Sequence, residues 1–275
     1  MCKCKVIAVT NQKGGVGKTT TTENVAIGLS LQGFDVLIVD FDPQGDLTSC
    51  LGWKNNDALE HSVSSMLDDY INDNDIDYDS LILHHEEDVD LIPANIELAD
   101  FEMRLVSVIN REQTLSNCIE PLRDKYDYIF IDCPPSLGLL TTNALTASDS
   151  VMIPVQCEYY SLEGVTQLLN TILLTQSKIN PKLDIEGVLL TMLDGRTLVG
   201  LEVVEDVRKF FKEKVFNTII PRLVRLVEAP SHGKPILEYD PKCRGALAYI
   251  NLAKEVIERN GKQEESTREG ARTTI

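Results

Sequence analysis

The sequence has no long hydrophobic segment and no export signal at its start. No run of about 18 consecutive apolar residues occurs, which argues against a transmembrane helix. The first ten residues, MCKCKVIAVT, lack a signal-peptide pattern and lead directly into an apolar stretch. We therefore expect a cytoplasmic protein with no membrane partner.

Paired cysteine motifs are also absent. The seven cysteines are scattered, no C-x-x-C pair occurs, and no cluster of histidine or cysteine accompanies Cys2 and Cys4. Such clusters are what structural metal sites require. We therefore expect reduced thiols, as in an ordinary cytoplasmic protein, rather than a metal site or disulfides.

Positive charge is scarce and unevenly distributed. The formal net charge of −17 argues at first against a nucleic-acid partner. Residues 55–103 hold fifteen Asp and Glu and no Lys or Arg, whereas residues 195–245 hold ten Lys and Arg against seven Asp and Glu. The last third of the chain is therefore locally basic.

Apolar, strand-like runs alternate with helical stretches along the 275 residues. The predicted strands are 6–10, 35–42, 89–94, 126–135, 151–156, 187–193 and 215–221, and the predicted helices are 19–32, most of 97–125, 162–177, 200–213 and about 243–259. Continuous apolar strands between helices predict an α/β fold, with a mainly parallel twisted sheet covered by helices on both faces. Ligands in such folds bind at the carboxyl ends of the strands.

We predict one domain over residues 1–260. Residues 54–90 are polar and acidic, so they are expected to form an irregular insertion on the surface. Residues 261–275 are polar and are expected to be a disordered tail.

A glycine-rich loop follows the first predicted strand. The stretch NQKGGVGKTT fits the phosphate-binding pattern G-x-x-x-x-G-K-[ST] except at its first glycine, where Gln12 stands. A lysine, Lys13, precedes Gly14 and Gly15 instead. Gly14, Gly15 and Gly17 allow a tight turn whose N–H groups approach a phosphate without Cβ clashes.

The end of this loop carries the residues that are expected to contact a nucleoside triphosphate and its metal. Lys18 is expected to reach the β- and γ-phosphates, and the Thr19 hydroxyl to bind Mg²⁺. The loop thus carries two lysines, one at each end, of which the standard pattern explains only Lys18.

Three aspartates follow two other predicted strands. Asp40 and Asp42 end the second strand, and the alternation of a strand predicts that both point the same way. Asp132 ends the apolar run IFID, as a Walker B carboxylate does, and is expected to hold Mg²⁺ through water. Each aspartate alone would be an ordinary strand-end residue, but three at one sheet edge favour a metal site.

Several motifs together resemble one protein family. The segments KGGVGKTT, VDFDPQG, FIDCPPSLG, IPVQCEYYSLEG and EAPSHGKPI are similar to those of the ParA/Soj partitioning ATPases, in the deviant Walker A group that also includes MinD. The resemblance covers about residues 5–258. It implies a P-loop NTPase fold, ATP and Mg²⁺ as cofactors, and slow ATP hydrolysis stimulated by a ParB-type centromere-binding protein, in chromosome or plasmid segregation.

The resemblance also assigns roles to individual residues. It implies that Lys13 reaches the ATP of a partner in a homodimer, that Asp42 orients the attacking water, and that Asp40 supports the Mg²⁺ shell beside Thr19 and Asp132. Lys13, Lys18 and Asp42 are then the catalytic residues. The implied nucleotide-binding residues are Lys13, Gly14, Gly15, Val16, Gly17, Lys18, Thr19, Thr20, Pro221 and Arg222.

DNA binding without sequence preference is a further implication, and it would place the protein on the nucleoid. The family's DNA-binding arginines match Arg196 and Arg225. The basic candidates as a set are Arg196, Arg222, Arg225, Lys234, Lys242 and Arg244. Their contacts would go to phosphates, and dimerisation would double the patch. One departure from the family, Asp46 in PQGDLT, adds a negative charge near Asp42, in the segment that the resemblance identifies as the first switch of the ATPase.

Three other functions compete with this interpretation. A MinD-like ATPase on a membrane surface would need a basic amphipathic C-terminal helix, whereas the tail after Asn260 is rich in Gly, Ser, Thr and Glu. An iron–sulfur protein would need cysteines that bridge a dimer, and Cys133 is better explained as a buried strand-end thiol. A scaffold without activity is disfavoured by Lys18, Thr19, Asp42 and Asp132.

Overall fold

The fold is organised around one sheet of eight strands. The computed structural model describes residues 4–158 and 161–273. The strand order is β3-β4-β2-β5-β1-β6-β7-β8, and all neighbouring strands are parallel except β3 and β4. The strands are β1 Lys5–Val9, β2 Val36–Asp40, β3 Leu83–His84, β4 Val89–Ile92, β5 Tyr128–Asp132, β6 Ser150–Gln156, β7 Asp184–Leu193 and β8 Val215–Pro221. The predicted α/β class is confirmed.

Helices cover both faces of this sheet. They are α1 Lys18–Ser30, α2 Asp46–Cys50, α3 Val63–Ile71, α4 Tyr78–Leu81, α5 Glu97–Leu105, α6 Thr114–Ile119, α7 Leu139–Ala147, α8 Ser161–Lys178, α9 Leu198–Phe211, α10 Val224–Ser231, α11 Ile236–Tyr239 and α12 Arg244–Thr273. Short 3-10 turns lie at Asn56–Ala58, Arg111–Gln113, Glu120–Asp124 and Lys212–Lys214. None of the described helices is both long and apolar enough to span a membrane.

The apolar strands are buried on both faces, which explains why their sequences are continuously hydrophobic. In β2, Leu37 and Val39 belong to one buried cluster, whereas Val36 and Ile38 belong to a second cluster on the opposite face. Helices α5, α6, α7, α8 and α9 contribute to the first cluster, and α1 and α12 to the second. This is the packing expected of a parallel sheet between two helical layers.

The register of the central strands sets the position of the site. Asp132 at the end of β5 is the partner position of both Asp40 in β2 and Val9 in β1. The chain leaves β1 at Val9 and enters the glycine-rich loop. Two aspartates and this loop therefore meet at one carboxyl edge of the sheet.

The acidic segment 54–90 is more ordered than the sequence predicted. It contains α3, α4 and β3, and it buries Val63, Met66 and Leu67 in the first cluster. Ser62 and Ser65 form a reciprocal capping box at the start of α3. The spacing of Val63, Met66 and Leu67 is helical, but the acidic composition around it concealed the pattern.

Helix α12 also continues further than the predicted last helix. Its backbone runs to Thr273, into the segment 261–275 for which a disordered tail was predicted. Gln, Glu, Lys, Arg and Ala in this segment are good helix formers, and no proline interrupts it. The domain limit near residue 260 stays a prediction.

Candidate functional site

The glycine-rich loop turns sharply between β1 and α1. Gly15 has a φ of +70° and Gly17 a φ of +87°, both in the left-handed region that favours glycine. Gly14 does not, and a Cβ there would lie 3.9 Å from the Cβ of Pro135, an ordinary contact. The backbone of one protomer therefore requires glycine at positions 15 and 17 but not at 14.

The start of α1 is joined to the end of β5. The Thr19 hydroxyl donates to Oδ2 of Asp132 at 2.7 Å, and the Thr22 hydroxyl donates to Oδ1 at 3.2 Å. Lys18, the first residue of α1, is buried, with 7 % of its surface exposed. The predicted neighbourhood of Lys18, Thr19 and Asp132 is thus present in the structure.

Two further side chains hold the loop, and neither was predicted. The buried hydroxyl of Thr191, in β7, donates to the carbonyl oxygen of Val16 at 2.8 Å. Asn11 donates to the carbonyl oxygen of Pro154 at 2.7 Å and accepts from the Lys13 amide at 3.0 Å. Thr191 lies 175 residues from Val16, so no local pattern could have identified it.

Two carboxyl groups at this edge of the sheet are buried, and burial raises the pKa of both. Burial, together with the nearby charge of Asp40, raises the pKa of Asp132 to about 8, although Thr19 and Lys18 oppose the rise. Burial also raises the pKa of Asp40 to about 7, against hydrogen bonds from Thr48. A bound cation would favour the ionised forms of both groups.

The Asp40 carboxylate accepts hydrogen bonds from Thr48, in the nearby helix α2. Its Oδ2 accepts from the Thr48 amide at 2.9 Å and from the Thr48 hydroxyl at 2.6 Å. The same hydroxyl accepts from the Ala94 amide at 3.0 Å. Asp40 therefore fixes α2 against the end of β4, and its support of a Mg²⁺ shell stays a prediction.

Asp42 lies outside the strand in which it was predicted. Strand β2 ends at Asp40, so the prediction that the strand extends to Asp42 was wrong. Strand alternation therefore cannot explain where the side chain of Asp42 points. Its Oδ1 accepts from the Gln44 amide at 3.0 Å, which closes a tight turn. Burial raises the pKa of Asp42, while Lys18 is close enough to lower it.

Lys13 lies at the surface, apart from the buried end of the loop. Its side chain is 40 % exposed, and its Nζ is 3.9 Å from Oε2 of Glu158. The other carboxylate oxygen of Glu158 lies 3.7 Å from the Arg222 guanidinium. One glutamate thus links Lys13 to the end of β8. Tyr159 and Tyr160, in the same motif, lie outside the described residues.

Pro221 and Arg222 line an open pocket of about 760 Å³ at the end of β8. The Arg222 amide donates to the carbonyl oxygen of Leu193 at 3.0 Å, which holds the ends of β7 and β8 together. Arg196 and Arg244 also line this pocket. Three of the six basic candidates therefore share one concave surface.

The two arginines matched to DNA contacts are already paired with carboxylates. Arg196 is 89 % exposed and forms a fork-like pair with Asp194, at 2.9 and 2.7 Å. Arg225 lies 3.2 Å from Glu228 and 3.6 Å from Asp240. Such exposed pairs are weak, so a phosphate can compete for either arginine.

The described residues give no support to a metal-cluster function. Among the side chains that the structure describes, no group of three or more His, Cys, Asp or Glu is placed to hold a metal ion. Cys133 is fully buried directly after β5, and the six described cysteines are free thiols. Cys2 lies outside the described residues.

Comparison with known proteins identifies the family. A family model described as an AAA domain matches residues 4–185. The chain is 58 % identical to the sporulation initiation inhibitor protein Soj of Bacillus subtilis, over 92 % of this chain and 98 % of that protein. It is 48 % identical to the chromosome partitioning protein ParA of Myxococcus xanthus, over 93 % of this chain and 89 % of that protein.

Solved structures agree with these sequence relatives. A cobyrinic acid a,c-diamide synthase from Mycobacterium smegmatis with bound ADP and magnesium gives a TM-score of 0.79 at 39 % identity, covering 91 % of this chain and 93 % of that one. A putative plasmid partition protein from Borrelia burgdorferi bound to AMPPNP gives 0.77 at 26 % identity, covering 95 % and 100 %. The chain belongs to the ParA/Soj family of partitioning ATPases.

Proposed function

We propose that the protein is a Mg²⁺-dependent ATPase that ATP converts into a DNA-binding dimer for chromosome or plasmid segregation. The observation that carries this proposal is the arrangement at the start of α1. There two left-handed glycines, the buried Lys18 and the Thr19–Asp132 pair meet at one strand edge. A helix N-terminus beside such a loop attracts phosphate.

The residues at this edge fit a magnesium ion bound together with phosphates. Thr19 and Asp132 would hold the ion, with Asp40 behind them, and Mg²⁺ prefers few protein ligands beside water and phosphate oxygens. The ion would neutralise charge on the phosphates. Lys18 would bind the phosphates from within the chain, and Asp42 would orient the attacking water.

Dimerisation would complete the site. In this proposal ATP lies between two protomers, and the surface lysine Lys13 reaches the partner's triphosphate. A cation supplied from outside the chain acts like an arginine finger, which stabilises charge on the transferred phosphoryl group. The loose 3.9 Å contact of Lys13 with Glu158 leaves the lysine free to make that move.

DNA binding would follow from dimerisation. Arg196 and Arg225 contact phosphates without reading sequence, and two linked copies bind more tightly than one. A ParB-type partner would then accelerate the slow hydrolysis and release the DNA. The partitioning relatives named above support this cycle by family membership.

A sedimentation experiment tests the whole proposal. The protein is mixed with DNA and, in parallel, with anionic liposomes, in the presence of ADP, ATP or a non-hydrolysable ATP analogue. Retention on DNA with triphosphate alone supports the proposal. Retention on liposomes would instead favour the MinD-like membrane function, and retention on neither would contradict both.

Two arginine variants test the DNA surface. Arg196→Glu and Arg225→Glu are expected to weaken DNA binding about tenfold or more, because each reverses a charge near phosphate, while ATP-dependent dimerisation persists. Lys209→Glu on α9 is the matched control, since its charges pair along one helix. DNA binding that does not change with salt concentration would refute the phosphate contacts.

A further inference from the structure

Helix α7 begins without a cap of its own. Its N-cap residue is Gly138, which has no side chain to accept a hydrogen bond, and no acidic residue lies in its first turn. The first N–H groups of a helix have no partner inside the helix. Another part of the chain must therefore satisfy them.

Glu102, in α5, supplies the missing acceptor. One of its oxygens, Oε1, accepts from the amides of Leu139 and Leu140 at 3.1 and 3.3 Å. A carboxylate at a helix N-terminus makes charge-assisted hydrogen bonds and opposes the helix dipole. In the described part of the chain no lysine or arginine pairs with Glu102. Its role at α7 is therefore not shared with a salt bridge.

The fit between Glu102 and the start of α7 is tight. A Cβ at position 138 would lie 2.8 Å from Oε1 of Glu102. Gly138 has a φ of −75°, which any residue can adopt, so the backbone itself does not require glycine. An added Cβ would therefore have to displace the Glu102 carboxylate from the N-terminus of α7.

The start of α7 is joined in turn to the loop that follows Asp132. The hydroxyl of Thr141, in the first turn of α7, donates to the carbonyl oxygen of Ser136 at 2.7 Å. The Ser136 amide donates to the carbonyl oxygen of Pro134 at 2.8 Å. Pro135 faces Gly14 of the glycine-rich loop. A displacement of α7 would therefore move residues that contact the phosphate site.

We propose that Glu102 is a positioning residue: it fixes the N-terminus of α7 and thereby holds the 133–138 loop against the glycine-rich loop. This inference rests on the proposed ATPase function for its effect on turnover. Glu102 touches no reacting group. It acts through the backbone of Leu139 and Leu140, so it affects how the loop is placed more than how tightly nucleotide binds.

Amide hydrogen exchange tests the contact directly. In Glu102→Ala the amides of Leu139, Leu140 and Ser136 are expected to exchange about tenfold faster, since a lost cap weakens the first turn by about that factor. Glu102→Gln keeps an acceptor and should restore most of the protection. Glu97→Ala, at an exposed glutamate of the same helix, is the control. Equal exchange in the wild type and Glu102→Ala would overturn the proposal.

A double substitution tests the contact from the other side. Gly138→Ala places a Cβ against Oε1 of Glu102 and should raise the exchange of Leu139 and Leu140 in the wild-type background. In the Glu102→Ala background the same substitution should change the exchange less than twofold. An equal effect in both backgrounds would show that the effect of Gly138→Ala does not depend on Glu102, and it would contradict the proposal.

Turnover separates positioning from a merely structural role. Glu102→Ala is expected to lower kcat about tenfold with the nucleotide Kd changed less than twofold, and Glu102→Gln to recover most of the rate. Parallel losses of kcat, nucleotide affinity and Tm would overturn positioning. If the wild type hydrolyses no ATP, the proposed function fails, while the two exchange experiments still decide whether Glu102 positions the loop.

Discussion

The two lysines of the glycine-rich loop lie in opposite environments. Lys18 is buried at the start of a helix, close enough to Asp42 and Asp132 to oppose the rise in pKa that burial causes at both carboxyl groups. Lys13, five residues earlier, is partly exposed, and its Nζ lies 3.9 Å from Glu158. In the proposed function, Lys18 binds the phosphates within its own chain. The family resemblance implies that Lys13 instead acts on the ATP of a second protomer, and its position at the surface is compatible with that role.

Removing Lys13 is expected to have the largest effect. Lys13→Ala should retain ATP binding within about threefold but lose ATP-dependent dimerisation, and kcat should fall about 10³-fold, as for a lost arginine finger. Light scattering with a non-hydrolysable analogue, together with phosphate release, measures both. Dimers that form normally in this variant would break the comparison between the two lysines.

Removing Lys18 should affect a single chain. Lys18→Ala is expected to weaken ATP binding about 100-fold, because the phosphates lose a charged partner in a buried site. Titration calorimetry at a concentration where the protein is monomeric checks this. If the affinity for ATP stays unchanged, the loop does not bind phosphate as we propose.

A buried glutamate in α1, Glu23, predicts how the stability of the protein depends on pH. Burial raises the pKa of Glu23 from 4.5 to about 8, with the charge of Asp132 adding to the shift. The native state then keeps a proton that the unfolded chain releases. The stability from this group is fully present below about pH 4.5 and is lost as the pH rises to about 8.

Glu23→Gln should therefore flatten the pH dependence, by on the order of 3 kcal/mol between pH 5 and 8. Urea unfolding without nucleotide or Mg²⁺ measures the change, with the exposed Glu97→Gln as control. Asp40 and Asp132 contribute a slope of the same sign, so part of the dependence should remain. An unchanged slope in Glu23→Gln would mean that Glu23 is ionised in the native state.

The smallest effect is expected at Glu158. Glu158→Ala releases Lys13 from a partly exposed ion pair, and such pairs contribute at most about 1 kcal/mol. ATP-dependent dimerisation should therefore tighten by less than about fivefold, with ATP affinity in the monomer unchanged. Weaker dimerisation would mean that Glu158 helps Lys13 reach the partner instead of holding it back.

Much of the fold could be read from local patterns. The parallel sheet followed from apolar runs between helices, and its class is confirmed. The sequence-based prediction missed α3, because the apolar spacing of this helix lies within an acidic segment. The prediction also ended the last helix before Thr273. Strand alternation also failed for Asp42, which lies two residues beyond the end of β2.

The sequence by itself determined the glycine-rich loop, Lys18 and Thr19 at its end, and the strand-end position of Asp132, because backbone conformation and strand burial depend on residues close together in the chain. Only the tertiary structure decided which distant groups meet. Thr191 holds Val16, Glu158 faces Lys13, and Glu102 caps α7. These partners lie on elements far apart in sequence, and only the packing of helices onto the sheet brings them within hydrogen-bonding or ion-pair distance.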